Sequence, residues 1–259
     1  MKISKPPVVL CFSGLDPTGG AGIQADIESI AKHGCHAAPI ITATTVQDTN
    51  NVISFQPVDS STIIKQARAI LKDMKISAIK IGMLGSGETA EAIYTLLRQH
   101  SDIPIIFDPV LAAGGGTSLI KKNLIDAINT LIIPQTFIVT PNIPEALQLT
   151  NTKKDPQTAA KLLNQMGASY TLLTGTHSDN LDVIHKLYHQ NEIQKIFKYK
   201  RLKHEYHGSG CTLAASLAAL IAHKMETINA CQNALDFTYK SLLNANKLGN
   251  GQLIPNRNL

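Results

Sequence analysis

The sequence predicts an α/β protein built on one doubly wound, mainly parallel sheet flanked by helices, with a small antiparallel hairpin at its edge. Two observations predict this. Short β-branched apolar runs alternate with amphipathic helical stripes, a beat that implies right-handed crossovers between parallel strands. Late in the chain the beat breaks, and two strand-like runs face each other across His189-Gln-Asn-Glu192, which reads as a hairpin.

The elements follow in order. Residues 8–12 form the first strand. A helix over 22–31 carries Ile23, Ile27, Ile30 and Ala31 on one face and stops at Gly34. Residues 39–46 are the second strand, Asp59 or Ser60 caps a helix running to about Met74, and residues 78–82 are the third strand. The beat then repeats as helix 88–99, strand 103–107, helix 118–128, strand 137–140, helix 158–166 and strand 170–174. The hairpin pairs 183–188 with 193–199, and helices over 212–225 and 228–248 close the chain. No Gly/Ser linker, low-complexity stretch or internal repeat divides the sequence, so residues 1–259 are read as a single domain.

Composition narrows the function. A chain of 259 residues with 44% hydrophobic content can bury a full core unaided. A net charge of +5 without a Lys/Arg-rich run, 5% aromatics and no Trp argue against nucleic acid as a partner. The four cysteines make no C-x-x-C pair, no apolar run reaches membrane length, and the short apolar stretch after the N-terminus lacks a signal-peptide cleavage site. The expectation is a soluble cytoplasmic protein with no membrane partner.

In a sheet of this kind ligands bind beyond the carboxyl ends of the strands. The segments that follow the predicted strands are Ser13 to Gly22, Gln47-Asp48, Gly82-Met83, Asp108-Pro-Val110, Pro141-Asn-Ile-Pro-Glu145 and Gly175-Thr-His177. Glycines, acids and amides therefore gather on one rim. His177 and His207 lie beside these motifs as candidates for lining a site.

The first glycine loop fails two standard readings. Gly14-x-x-x-x-Gly19 starts like a P-loop, but Gly20-Ala21 stands where Lys-Ser/Thr is required. Gly20-Ala-Gly22-Ile-Gln-Ala25 fits a dinucleotide fingerprint, yet it lies too far from its strand and lacks the acid at the end of the second strand. The second cluster, Gly208-Ser209-Gly210-Cys211, opens an Ala/Leu-rich helix, so backbone N–H groups and the positive helix end meet at one point. That is an anion site with a cysteine in its first turn. The helix end is expected to lower the Cys211 pKa from about 8.5 towards neutrality. Cys11 and Cys231 sit in apolar runs as structural residues. Serine-nucleophile elbows and His-Glu-x-x-His zinc motifs are absent, and the nine histidines lack ligand spacing.

Gly-Leu-Asp-Pro-Thr-Gly-Gly-Ala-Gly-Ile-Gln-Ala-Asp26, Thr-Val-Gln47-Asp-Thr, Lys80-Ile-Gly-Met83, Asp108-Pro-Val110, Thr140-Pro-Asn-Ile-Pro-Glu145 and Gly208-Ser-Gly-Cys211-Thr together resemble the hydroxymethylpyrimidine/phosphomethylpyrimidine kinases of the ribokinase superfamily, enzymes of thiamine biosynthesis. The resemblance runs from about Val8 to Leu248, with the motifs in family order.

It implies a ribokinase-like fold, ATP and Mg²⁺ as cofactors, a small-molecule pyrimidine substrate and a homodimer. Gly14, Ala21, Asp26, Gln47, Met83 and Val110 match the residues that hold the pyrimidine. Gln47 suits the aminopyrimidine edge because an amide both donates and accepts. Asp108 and Glu145 match the acids near magnesium. Asn142, Glu145, Thr174 and Gly175 match nucleotide contacts. Gly208, Ser209 and Gly210 match the anion hole, and Cys211 stands where sugar kinases of the superfamily carry an aspartate base. Phosphoryl transfer asks for these parts: positioned phosphates, a metal and a proton acceptor.

Two positions depart from the pattern: Thr174 stands where the family commonly has lysine, and Tyr206 where threonine is more common. Pyridoxal kinases of the same superfamily, which share a similar cysteine, are the nearest alternative, and Gln47 and Met83 favour the pyrimidine. A non-catalytic pyrimidine-binding protein is the alternative of another class, against which Cys211, Asp108 and Glu145 argue.

Overall fold

The computed structural model describes residues 5–111, 122–153, 155–175 and 181–259. Among these residues nine strands form one sheet in the order β3-β2-β1-β4-β5-β6-β7-β8-β9. They are β1 Val8–Leu15, β2 His36–Gln47, β3 Val52–Pro57, β4 Ile76–Ile81, β5 Ile105–Phe107, β6 Ile138–Val139, β7 Tyr170–Leu173, β8 Asp182–His189 and β9 Glu192–Lys200. The strands from β2 to β7 are parallel, while β3 at one edge and β8–β9 at the other are antiparallel.

Among the described residues eight α-helices cover the faces: α1 Gly22–Lys32, α2 Ser60–Asp73, α3 Gly87–Leu97, α4 Lys122–Ala127, α5 Ile143–Thr150, α6 Pro156–Gln165, α7 Ser209–Ala222 and α8 Thr227–Leu243. Side-chain alternation along each strand divides the core in two. Leu10, Phe12, Ile79, Ile81, Ile105 and Phe107 pack on the side of α2 to α6. Val9, Cys11, Ala78 and Ile106 pack under α1, α7 and α8. Lys80 falls on that second side.

The chain winds from β1 to β2 in one direction and from β4 to β7 in the other. The reversal lies between β1 and β4, where an open α/β sheet leaves a crevice at its carboxyl edge. Helix α7 crosses over β4 and β5 and packs against α1 and α8. Its run of alanines is buried on every side, which lets it lie close to the sheet.

Several expectations are corrected in detail. Strand β3 and helix α5 lie outside the predicted elements. The signals for them are the Asp48–Asn51 turn ahead of Val52-Ile-Ser-Phe55, and the Asn142-x-x-Glu145 capping box. Helix α8 ends at Leu243, short of residue 248, because the tail beyond it pairs back on itself through Asn246 and Ile254. Ala31 is exposed. The expected helix over 118–128 begins among residues outside the described ones. Among the described residues no helix is long and apolar enough to cross a membrane.

Candidate active site

A cavity of about 810 Å³ opens along the carboxyl edge of the parallel strands, within the range usual for a small-molecule site. Its position follows from the topology. The turn after β1, the ends of β2 and β4, the segment after β5, the start of α5 and the start of α7 all contribute walls.

The first glycine loop is shaped by Asp16. Its carboxylate accepts from Thr18 N at 2.8 Å and from Ala21 N at 2.8 Å, and it pairs with His207 Nε2 at 2.8 Å. Despite burial, which opposes ionisation, the His207 and Thr18 contacts hold its pKa well below the usual carboxylate range. Asp16 and His207 therefore tie the first glycine loop to the second. Gly22 adopts φ +57°, and a Cβ there would lie 2.2 Å from Gly14 O. At Gly208, which caps α7 with φ +77°, a Cβ would lie 2.0 Å from Gly20 O. The two loops touch backbone to backbone, so only glycine fits.

At the start of α7 the first N–H groups have no partner inside the helix, and Thr212 N makes the first helical bond, to Gly208 O at 3.0 Å. Facing that end is Asp108, which is 4% exposed yet lines the cavity, and whose Oδ2 has no hydrogen-bond partner. A buried carboxylate oxygen left open at a cavity wall suits a cation. Burial lifts the Asp108 pKa to about 6, with Lys80 opposing the rise and Asp26 adding to it. Glu145 closes the capping box of α5, accepting from Asn142 N at 2.9 Å. Burial and the nearby Asp108 charge raise its pKa to about 8. These two acids, which resist sharing negative charge, supply the oxygen donors that Mg²⁺ takes.

Beneath them lies a group that sequence reasoning passed over. Lys80 is wholly buried, with Nζ 2.9 Å from Asp26 Oδ1 and 3.0 Å from Ser13 Oγ. Burial alone would depress its pKa, but the charges of Asp26 and Asp108 raise it. A lysine inside the apolar run Ala78-Ile-Lys-Ile81 was the available signal, because a charge there needs a buried partner.

Most expected residues meet at the cavity: Gly14, Ala21, Gln47, Met83 and Val110 at one end, Asp108 and residues 208–211 midway, and Asn142, Glu145 and Thr174 beyond. Three expectations change. Asp26 does not line the cavity; it is sealed below it, paired to Lys80 and accepting from Ser13. Gly175 is also away from the wall, with its backbone packed on Ile184 O. The Cys211 thiol is not acidified by the helix end. Burial, with Asp108 and Asp26 close by, outweighs Lys80 and pushes its pKa up to about 12. His177 lies outside the described residues, and so, apart from Leu111, does Leu111-Ala-Ala-Gly-Gly-Gly-Thr117, a segment whose three glycines mark it in the sequence as a candidate lid over the site.

Comparison with known proteins adds an independent line. Residues 16–256 match the family model for phosphomethylpyrimidine kinase. The hydroxymethylpyrimidine/phosphomethylpyrimidine kinase of Staphylococcus aureus is 30% identical over 254 residues, covering 96% of this chain and 92% of that protein. A crystal structure of phosphomethylpyrimidine kinase from Clostridium difficile matches with a TM-score of 0.79 at 29% identity, covering 91% of this chain and 98% of that one. Pyridoxal kinase of Bacillus subtilis, solved with ADP, matches with a TM-score of 0.88 over 98% of both chains; at 24% identity the likeness is one of fold.

Proposed function

The chain belongs to the phosphomethylpyrimidine kinase family, and from that premise we propose that it transfers the γ-phosphoryl group of ATP to 4-amino-5-hydroxymethyl-2-methylpyrimidine and then to the resulting monophosphate, on the route to thiamine diphosphate. One observation carries the reading. The open N-terminal end of α7 and the unpartnered Asp108 oxygen face each other midway along a cavity that has an amide, Gln47, at one end and the α5 start at the other.

In this arrangement Gln47 reads the aminopyrimidine edge, and Met83 and Val110 hold the ring. The N–H groups of residues 208–211 take the transferred phosphoryl oxygens, with the helix dipole behind them. Asp108 and Glu145 are the residues that would hold Mg²⁺, which when bound neutralises phosphate charge and aligns the transfer. Asn142 and Thr174 lie on the nucleotide side of the cavity.

Cys211 is the proton acceptor in this proposal, although its thiol is protonated in the resting site. Gly22 N–H and the Asp108 carboxyl both lie beside its sulfur. In the reactive form the thiol has released its proton to solvent through the cavity it lines, with the Lys80 charge favouring the thiolate. The sulfur then takes the hydroxyl proton while the substrate oxygen bonds to phosphorus and the bond to ADP breaks. A cytoplasmic homodimer of one domain completes the proposal; the four free cysteines suit a reducing compartment.

The test is ATP consumption measured side by side with hydroxymethylpyrimidine, its phosphate and pyridoxal. Turnover of both pyrimidines in preference to pyridoxal supports the proposal. Preference for pyridoxal, or no turnover of any acceptor, overturns it.

A further inference from the structure

Arg257, third residue from the C-terminus, is the largest fully buried side chain of the described structure, at 2% exposure, and it does not line the cavity. Burying a guanidinium is costly unless every donor finds an acceptor. The acceptors here are unusual in where they lie. Arg257 Nη1 donates to Gly19 O at 3.3 Å and to Glu28 Oε2 at 3.1 Å, Nη2 donates to Gly20 O, and Nε donates to Thr212 Oγ1 at 2.9 Å. One planar fork thus joins the first glycine loop, helix α1 and the first turn of helix α7.

The consequences are geometric. A peptide whose carbonyl faces one way has its N–H facing the other. With the Gly19 and Gly20 carbonyls held to Arg257, the N–H groups of Gly20 and Ala21 are turned to Thr18 Oγ1 and Asp16. The Thr212 hydroxyl, fixed as an acceptor by Arg257, gives its own proton to Gly208 O at 2.8 Å. That carbonyl belongs to the αL residue that opens α7, and Gly208 rests directly on Gly20 O. The tail leading to Arg257 is itself laced to the approach to α7: His207 N donates to Leu253 O at 2.9 Å and Leu253 N to Glu205 O at 3.0 Å.

We infer that Arg257 is a positioning residue for phosphoryl transfer, setting the pyrimidine loop and the anion-binding helix start in register with one another. The inference rests on the kinase reading above. It predicts that losing the fork misplaces the two loops relative to each other, while Gln47, Met83 and Val110, carried on other segments, still hold the substrate.

The experiment compares wild type with Arg257→Ala, Arg257→Lys, Thr212→Val and Thr212→Ser on whichever of the three acceptors wild type turns over, with circular dichroism to establish folding. A misplacement of about 1 Å costs about a hundredfold in rate, so Arg257→Ala should lose about that factor in kcat with KM for the acceptor changed less than about threefold. Guanidinium added to the medium should restore kcat at least about tenfold. Arg257→Lys should not restore it, because an ammonium cannot span the four acceptors. If Arg257→Ala fails to fold, Thr212→Val decides: it should lower kcat about tenfold, and Thr212→Ser should retain it.

The alkylation rate of Cys211 by iodoacetamide, read by mass spectrometry, reports the helix start without any turnover and should change at least about fivefold in Arg257→Ala or Thr212→Val. Folded variants with wild-type kcat and wild-type alkylation, or a loss confined to KM, would overturn the inference. A wild type that ignores pyrimidines would instead count against the substrate reading and leave these comparisons intact.

Discussion

Lys80 and Asp26 form an ion pair sealed from solvent, 2.9 Å apart, directly below the wall that carries Asp108 and Cys211. Removing one partner of such a pair leaves an uncompensated buried charge. Lys80→Met should therefore destabilise the protein by about 3–5 kcal/mol in urea unfolding. The double variant Lys80→Met/Asp26→Leu should recover much of the loss. A single variant as stable as wild type would show that the pair contributes nothing to stability.

Cys211→Ala should cut kcat by about 10²–10⁴ while nucleotide and pyrimidine still bind, since a general base acts on rate rather than ground-state affinity. Because the thiol pKa is pushed up to about 12, alkylation of the unliganded enzyme should be slow at pH 7 and still rising at pH 10. A reaction that levels off below pH 8 would show an acidified thiol and reverse the assignment. Cys11 and Cys35 variants serve as controls expected to keep activity.

Glu145 gives a pH prediction with a definite sign. Its carboxyl is raised to about 8 in the folded protein, above the unfolded value of about 4.3. Between those values the native state binds more protons than the unfolded one, so this group lowers stability as pH rises from about 4 to 8. Gln at the same position keeps the capping box and removes the charge. Without metal, Glu145→Gln should melt higher than wild type at pH 8 and nearly the same at pH 4. Mg²⁺ should bind wild type more tightly as pH rises through 8, and the variant should lack that slope. Identical melting curves across this range would remove Glu145 from the electrostatics of the site.

Gln47→Ala should raise KM for the pyrimidine by about tenfold to a hundredfold, the cost of leaving polar groups of the bound ring unpaired. The position is half-buried at the end of β2, so the fold should tolerate the change. An unchanged KM in a folded variant would move ring recognition elsewhere in the cavity.

Much of the protein was legible as sequence because its signals are local. The strand-helix beat, the turn residues at Gln190-Asn191 with φ of +50° and +66°, and the glycine clusters all follow from short-range backbone preference. The rim that collects Gly14, Gln47, Met83, Asp108 and Cys211 follows from one topological rule applied to that beat. Long-range pairing decided the rest. The resemblance places Asp26 against the pyrimidine, and only the packing of α1 over β1, with β4 alongside, turns it inward to Lys80. The helix-end rule spoke for an acidic Cys211, but burial beside two carboxylates outweighs a dipole. Arg257 lies in a tail with no periodicity, and its four acceptors come from Gly19, Gly20, Glu28 and Thr212, far off in the chain. Sequence alone settled the α/β class and the rim where chemistry gathers, because dihedral preference and side-chain period act over a few residues. Tertiary structure alone settled which charges are buried, which are paired and how the two glycine loops meet, because desolvation and Coulomb energy depend on neighbours that only folding supplies.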